Sequence, residues 1–120
     1  MATYIKKPMQ IKACGNKPKI ILEYIGRVNS KSSDLSVAHM KSPMGWVEPG
    51  QTPEFSEYTL VIKGSLKVKT KSKSSIVKKG EAIIVESGEW VQYSTPSKGG
   101  AEYIAICLPA FSPQTVHRDS

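Results

Sequence analysis

The chain has 120 residues, of which 39% are hydrophobic and 22% charged, enough to build one hydrophobic core without disulfide or metal staples. No apolar run approaches the roughly 20 residues of a membrane-spanning helix, and the opening MATYIKKPMQIKACG lacks the apolar stretch of a secretory signal. A single domain over 1–120 in the cytoplasm is therefore expected. The formal net charge is +7, which raises nucleic acid as a partner. Only Arg27 and Arg118 are arginines, however, and nearly all the positive charge is lysine. Lysine lacks the forked donors that read bases and grip phosphates bidentately, and no aromatic RNA-binding motif accompanies it. Nucleic-acid binding is not expected. Cys14 and Cys107 are the only cysteines. Neither sits in a C-x-x-C, and in a reducing compartment both stay free thiols. Cys107, inside YIAICL, reads as a small buried hydrophobe.

In chain order the predicted strands are QIKAC, KIILEYIGRV, DLSVAHM, EYTLVIKG, SLKVKTK, SIVKK, EAIIVE, WVQYST and AEYIAICL. All are short, β-branched or aromatic, and cut by Gly, Pro, Ser or Asn. No window sustains a 3.6-residue apolar period, so the pattern is that of an antiparallel barrel or sandwich. The head, through about Lys19, either wraps the barrel or pairs with a neighbouring subunit. In Leu66-Lys67-Val68-Lys69-Thr70-Lys71 the alternation turns Leu66, Val68 and Thr70 inward and the lysines to water, where they discourage edge-to-edge association. A turn at KSKSS then returns the chain as a hairpin. Three strands do not alternate: Tyr58–Ile62, Ala82–Val85 and Tyr103–Leu108 are apolar on both faces. Nothing in a chain of this size remains to cover the second face, which predicts a two-fold homodimer. The tail LPAFSPQTVHRDS reads as an extended segment.

One segment, GWVEPGQTPEFSEYTLVIKG (45–64), carries a recognisable frame: Gly45, five residues, Gln51-Thr52-Pro53, three residues, Glu57, six residues, Gly64. A second runs from Gly80 through EAIIV to Glu86-Ser87-Gly88 and on to Val91, within about 80–95. The two frames resemble the paired motifs of small single-domain cupins, and the stretch from WVQYSTP to AEYIAICLPAFSP is distantly similar to the ethanolamine-utilisation cupins. The resemblance implies an all-β fold, the antiparallel double-stranded β-helix or jelly-roll barrel. It also implies that the slots which hold metal-binding histidines in that family are occupied here by Gln51, Pro53, Glu57 and Val91. Proline and valine offer no donor, and a stable site generally needs about three protein ligands. The expected cofactor is therefore none. The alternative is a divalent-metal site rebuilt from His39, Gln51, Glu54 and Glu57, if His39, which shares parity with Leu35 and Val37, points inward. Glu54 would also need a bulge to share a face with Glu57.

A carboxylate inside the barrel needs a partner or a raised pKa. Glu57 therefore anchors the candidate ligand-binding set of Gln51, Glu57, Tyr93, His39 and Tyr103. Trp46 would cap the mouth, and Trp90, of outward parity, would lie at the rim or an interface. Two functions compete. One is a non-catalytic cupin holding a small polar or cationic molecule against Glu57. The other is an enzyme of oxygenase or isomerase type, acting through an atypical metal set that includes Glu57, or through metal-free acid–base chemistry at that residue. The cupin family spans many chemistries, so whether the chain is catalytic stays open at this point.

Overall fold

A computed structural model describes all residues, Met1–Ser120. There is no helix. The chain runs through β1 (Met9–Ile11), β2 (Ile20–Ile25), β3 (Ser36–Ser42), β4 (Trp46–Val47), β5 (Ser56–Thr70), β6 (Ser74–Lys78), β7 (Ala82–Val85), β8 (Val91–Thr95) and β9 (Ala101–Leu108). Every pairing is antiparallel. The strand path is β1-β2-β3-β9-β5-β8-β4, with β6 and β7 also pairing β5.

The expected strands are present, with one change of organisation. EYTLVIKG and SLKVKTK are not two strands but one, the 15-residue β5. Its first half pairs with β9 and β7 in a larger sheet, and its second half pairs with β8 and β6 in a smaller one. Gly64, at the junction, does not break the strand; it lets the strand change sheets. Its φ is +75°, and a Cβ there would lie 2.1 Å from the Gly100 carbonyl oxygen. Gly100 in turn has φ +63° and would place a Cβ 2.0 Å from the Ser42 carbonyl oxygen. Three backbone segments thus stack where a side chain cannot fit. The short β4 was not legible in the sequence; it is two residues long and pairs only with the end of β8.

Most of the expected alternation is present: Leu66 and Val68 are buried and Lys69 and Lys71 exposed, while Lys67 and Thr70 are both half-buried. The main core joins Trp46, Val61, Leu66, Val68, Val77, Val85, Val91, Tyr93, Ala101 and Tyr103 between the two sheets. Trp46 is not a cap at the mouth. It is wholly buried, and its indole Nε1 donates to the Cys14 carbonyl at 2.9 Å. A smaller cluster of Phe55, Cys107 and Val116, with Phe111 against it, closes the other end.

The tail is ordered by pairing rather than by regular structure. Thr52 N donates to the His117 carbonyl, Glu54 N to the Thr115 carbonyl, and Asp119 N to the Gly50 carbonyl. Residues 115–119 therefore lie as a strap along residues 50–54. Trp90 reaches the same strap, donating from Nε1 to Asp119 Oδ2 at 2.9 Å.

The stack at Gly64 makes a quantitative prediction. Gly64→Ala must adopt left-handed backbone and displace a carbonyl, and should destabilise the chain by about 3 kcal/mol or more in urea denaturation. Gly80→Ala is the control. Its φ is +83° but nothing lies within 4 Å of a Cβ, so only the backbone term of about 1 kcal/mol applies. Equal losses at the two positions would refute the role assigned to the stack.

Candidate functional site

Inside the barrel lies a cavity of about 60 Å³, room for roughly four to six water-sized bodies. Its lining mixes apolar side chains, Ile11, Ile21, Met40, Phe55 and Phe111 among them, with the polar Lys19, Glu23, Glu48, Gln51, Glu57, Tyr93 and Tyr103, and Arg118 from the strap.

Strand parity brings these groups together. In β5 the residues Glu57, Thr59 and Val61 point inward while Tyr58, Leu60 and Ile62 are exposed. In β8, Val91 and Tyr93 share the inward face, and in β9 so do Tyr103, Ala105 and Cys107. Gln51 is held by reciprocal backbone hydrogen bonds with Val91, both 2.9 Å. Tyr93 Oη donates to Glu57 Oε1 at 3.3 Å. Of the sequence-derived set, Gln51, Glu57, Tyr93 and Tyr103 therefore do line one cavity.

His39 does not. The inward residues of β3 are Ser36, Ala38 and Met40, so His39, one step out of phase with them, faces the outside of the larger sheet. There its Nε2 meets Glu102 Oε2 at 2.8 Å. The expectation of an inward His39 took Leu35 and Val37 as core residues, but Val37 belongs to the outer face and registers with Ile106. Glu54 is exposed and pairs with His117. The set His39, Gln51, Glu54 and Glu57 is thus split between the cavity, the outer sheet face and the strap.

The residues of the cavity do not fit a metal of the usual cupin kind. Pro53 and Val91 occupy two of the family's ligand slots, and no three His, Cys, Asp or Glu side chains converge anywhere in the chain. An ammonium group also sits where a cation would have to approach. Lys19 Nζ lies 4.0 Å from Glu48 Oε1, 4.1 Å from the centre of the Trp46 ring and 5.3 Å from that of Tyr103.

Lys19, Glu48 and Arg118 escaped the sequence reading. Lys19 and Glu23 are the polar members of an inward set in an otherwise apolar stretch, KIILEYI. That is the one signal that could have flagged Lys19. Glu23 is structural, since its Oε2 accepts from Val28 N and Asn29 N at 3.0 and 2.9 Å and so caps the turn after β2.

Burial dominates the electrostatics. It opposes the charge on Lys19, but Tyr103 and Glu48 more than offset this and hold its pKa above the ordinary lysine value. Glu48 is pushed up by burial, since Lys19, at a long 4.0 Å, and Arg118 compensate only in part. Glu57 is raised to about 7, first by burial and then by Glu48, with Lys19 and the Tyr93 hydrogen bond opposing. Burial, with Glu57 alongside, pushes Tyr93 well up, so the phenol keeps its proton and donates. Burial likewise keeps Cys107 a thiol.

These shifts have a sign that can be measured. Folded Glu57 holds its proton up to about pH 7 against 4.5 for the ordinary group, so between those values the folded state binds more protons than the unfolded one. Stability must then fall as pH rises from 5 to 8. Thermal melts should show this slope, and Glu57→Gln should flatten it and stabilise the chain at pH 8 by about 1–3 kcal/mol. Glu48, shifted in the same direction, leaves a residual slope. An unchanged slope in the variant would remove Glu57 from the titrating group.

No protein-family model matches the chain. Among curated proteins it is 34% identical over 102 residues to the endoribonuclease YbeY of Myxococcus xanthus; the match takes in 85% of this chain but only 35% of that protein. Among solved structures it is similar to a predicted oxalate decarboxylase from Thermotoga maritima, with a TM-score of 0.72 at 16% identity, covering 91% of this chain and 99% of the other. It is also similar to a Salmonella typhimurium LT2 protein described as ethanolamine utilization protein Q, with a TM-score of 0.66 at 17% identity, covering 78% and 71%. Such identities speak to fold alone. Together with the two glycine frames and the curled antiparallel sheets that share β5, they place this chain in the cupin fold.

Proposed function

We propose that the chain binds a small molecule inside its barrel, without the histidine-based metal centre usual in cupins, and that it does so as a homodimer in the cytoplasm. The observation that carries the binding reading is the cavity itself, lined largely by apolar side chains with Lys19, Glu57 and Tyr93 among them. Small-molecule sites have this form, an apolar enclosure with a few placed polar groups. The free thiols Cys14 and Cys107 suit a reducing compartment, and no helix is long and apolar enough to cross a membrane.

Acid–base catalysis is the second reading, favoured by one fact: Glu57 is poised at about 7, where a carboxyl exchanges protons at neutral pH. Its hydrogen-bond partner Tyr93 holds its own proton too firmly to complete an acid–base pair. Binding is therefore the better supported use of the site. Ribonuclease action, the activity in the name of the Myxococcus relative, is less well supported. A cavity of about 60 Å³ is far below the size of a nucleotide, and the two histidines are each engaged by a carboxylate outside it.

Elemental analysis of protein purified without an affinity tag tests the metal-free reading. Less than about 0.1 equivalent of any transition metal is expected, whereas a stoichiometric metal retained by the wild type and lost in Glu57→Gln would return the chain to the metalloenzymes.

The dimer reading rests on the outer face of the larger sheet. Ile20, Tyr58, Leu60, Ile62, Ile84 and Leu108 are exposed there. Strand register puts part-buried Leu22, Val37, Ile104 and Ile106 among them. Six exposed and four part-buried apolar side chains on one face of one sheet form a patch of the kind that marks an interaction site. Its border carries both signs, Lys41 and Lys63 beside Glu102, so two copies related by a two-fold can match them. Sedimentation at micromolar concentration should give a dimer for the wild type and a folded monomer for Leu60→Lys. A wild-type monomer would overturn this part of the proposal.

A further inference from the structure

We infer that the ligand of the barrel is a small monocarboxylate, its charged end held between Lys19 and Arg118 and its short apolar body against Phe55 and Phe111. The inference rests on the small-molecule reading above and names the class of ligand.

Arg118 supplies the first observation. Its Nε is buried and has no hydrogen-bond partner, although the residue lines the cavity. The backbone fixes it there: Arg118 bridges to Gln51, and its neighbours His117 and Asp119 pair with Thr52 and Gly50. A buried donor left unpaired costs about 1–3 kcal/mol, a cost that an acceptor in the cavity would remove.

Lys19 supplies the second. Its ammonium is buried, with a side-chain exposure of 5%, and it faces two aromatic rings and a carboxylate 4.0 Å away. A charge-assisted hydrogen bond is ordinarily 2.7–2.9 Å, so Lys19 also retains donor capacity.

The third is the charge balance. Glu57 is faced by Tyr93 from β8, by Lys19 ahead of β2, by Glu48 after β4 and by Cys107 across β9. Lys19 and Arg118 stand against Glu23, Glu48 and Glu57, all of which line the cavity. When Glu57 carries its proton the two cations are matched by Glu23 and Glu48, and Glu57 itself becomes a further donor facing the cavity. A ligand with one negative charge and two acceptor oxygens answers all three observations. A cationic ligand, which Glu57 considered alone would suggest, meets Lys19 and Arg118 instead. The volume of about 60 Å³ admits roughly four to six non-hydrogen atoms, the range from acetate to butyrate.

Isothermal titration of the full chain with acetate, propionate, butyrate, propionamide and propylammonium tests the assignment. Propionate or butyrate should bind at least tenfold more tightly than propionamide, and propylammonium should not bind. Because the bound state keeps the proton on Glu57, affinity should fall about tenfold from pH 6 to pH 8. Arg118→Gln, with an unchanged circular-dichroism spectrum, should lose about tenfold or more for the carboxylates alone. If propionamide or propylammonium binds as well as the carboxylates, the ligand class is wrong while the cavity remains a binding site. If no probe binds at either pH, both readings fail.

Discussion

β5 belongs to both sheets, and the position of everything inside the barrel follows from that. A 15-residue strand spans about 50 Å if straight, far too long for one small sheet. It is accommodated because Gly64 takes a conformation closed to other residues and because Gly100 and Ser42 bring their backbones against it. Upstream of Gly64, the inward face of β5 brings Glu57 to the cavity, while Val61 on the same face joins Leu66 and Val68 from downstream in the core between the sheets. The same strand places Tyr58, Leu60 and Ile62 on the opposite face, so one element supplies both the site and the apolar outer surface.

Once Glu57 is inside, its neighbours are constrained. A buried carboxylate must find a donor, find a cation or keep its proton, and here all three responses are present in part. Tyr93 donates at 3.3 Å, Lys19 supplies positive charge, and the pKa moves to about 7. None is complete, because Glu48 draws on the same lysine. The cluster holds two carboxylates and two cations in a space of a few waters, without a closed ion pair between them. Such partial satisfaction stabilises a fold poorly.

The fold was legible in the sequence because its signals are local. Strand alternation, lysines outside and glycines at fixed spacing each act over a few residues. The division of Tyr58–Ile62 from Leu66–Lys71 into two strands failed at Gly64, where glycine marks a crossover between sheets rather than an end. The site was half legible. Gln51, Glu57 and Tyr93 followed from the motif frame and parity, and both hold within a strand. His39 failed because a run such as Leu35-Ser36-Val37-Ala38 has an apolar residue in one phase and a small one in the other. Here the small phase faces in, leaving the space that becomes the cavity. Glu48 and Arg118 could not be read because each lies outside the named strands and reaches the cavity only through tertiary pairing, and Lys19, just ahead of β2, was signalled only by its parity with Glu23.

The cupin frame without its histidines raises the question of what replaces a metal's electrostatic role. In this chain the positive charge facing Glu57 comes from Lys19, held over Trp46 and Tyr103. The exchange has consequences. A metal accepts electron pairs and organises several ligands around one point, whereas an ammonium donates hydrogen bonds and needs acceptors. Lys19 and the strap arginine present donors to the cavity, which call for acceptors rather than for further donors. The strap that carries Arg118 is pinned by backbone bonds at residues 50, 52 and 54, the same segment that carries Gln51. The same backbone pairings therefore close the barrel with the strap and place the Arg118 side chain at the cavity.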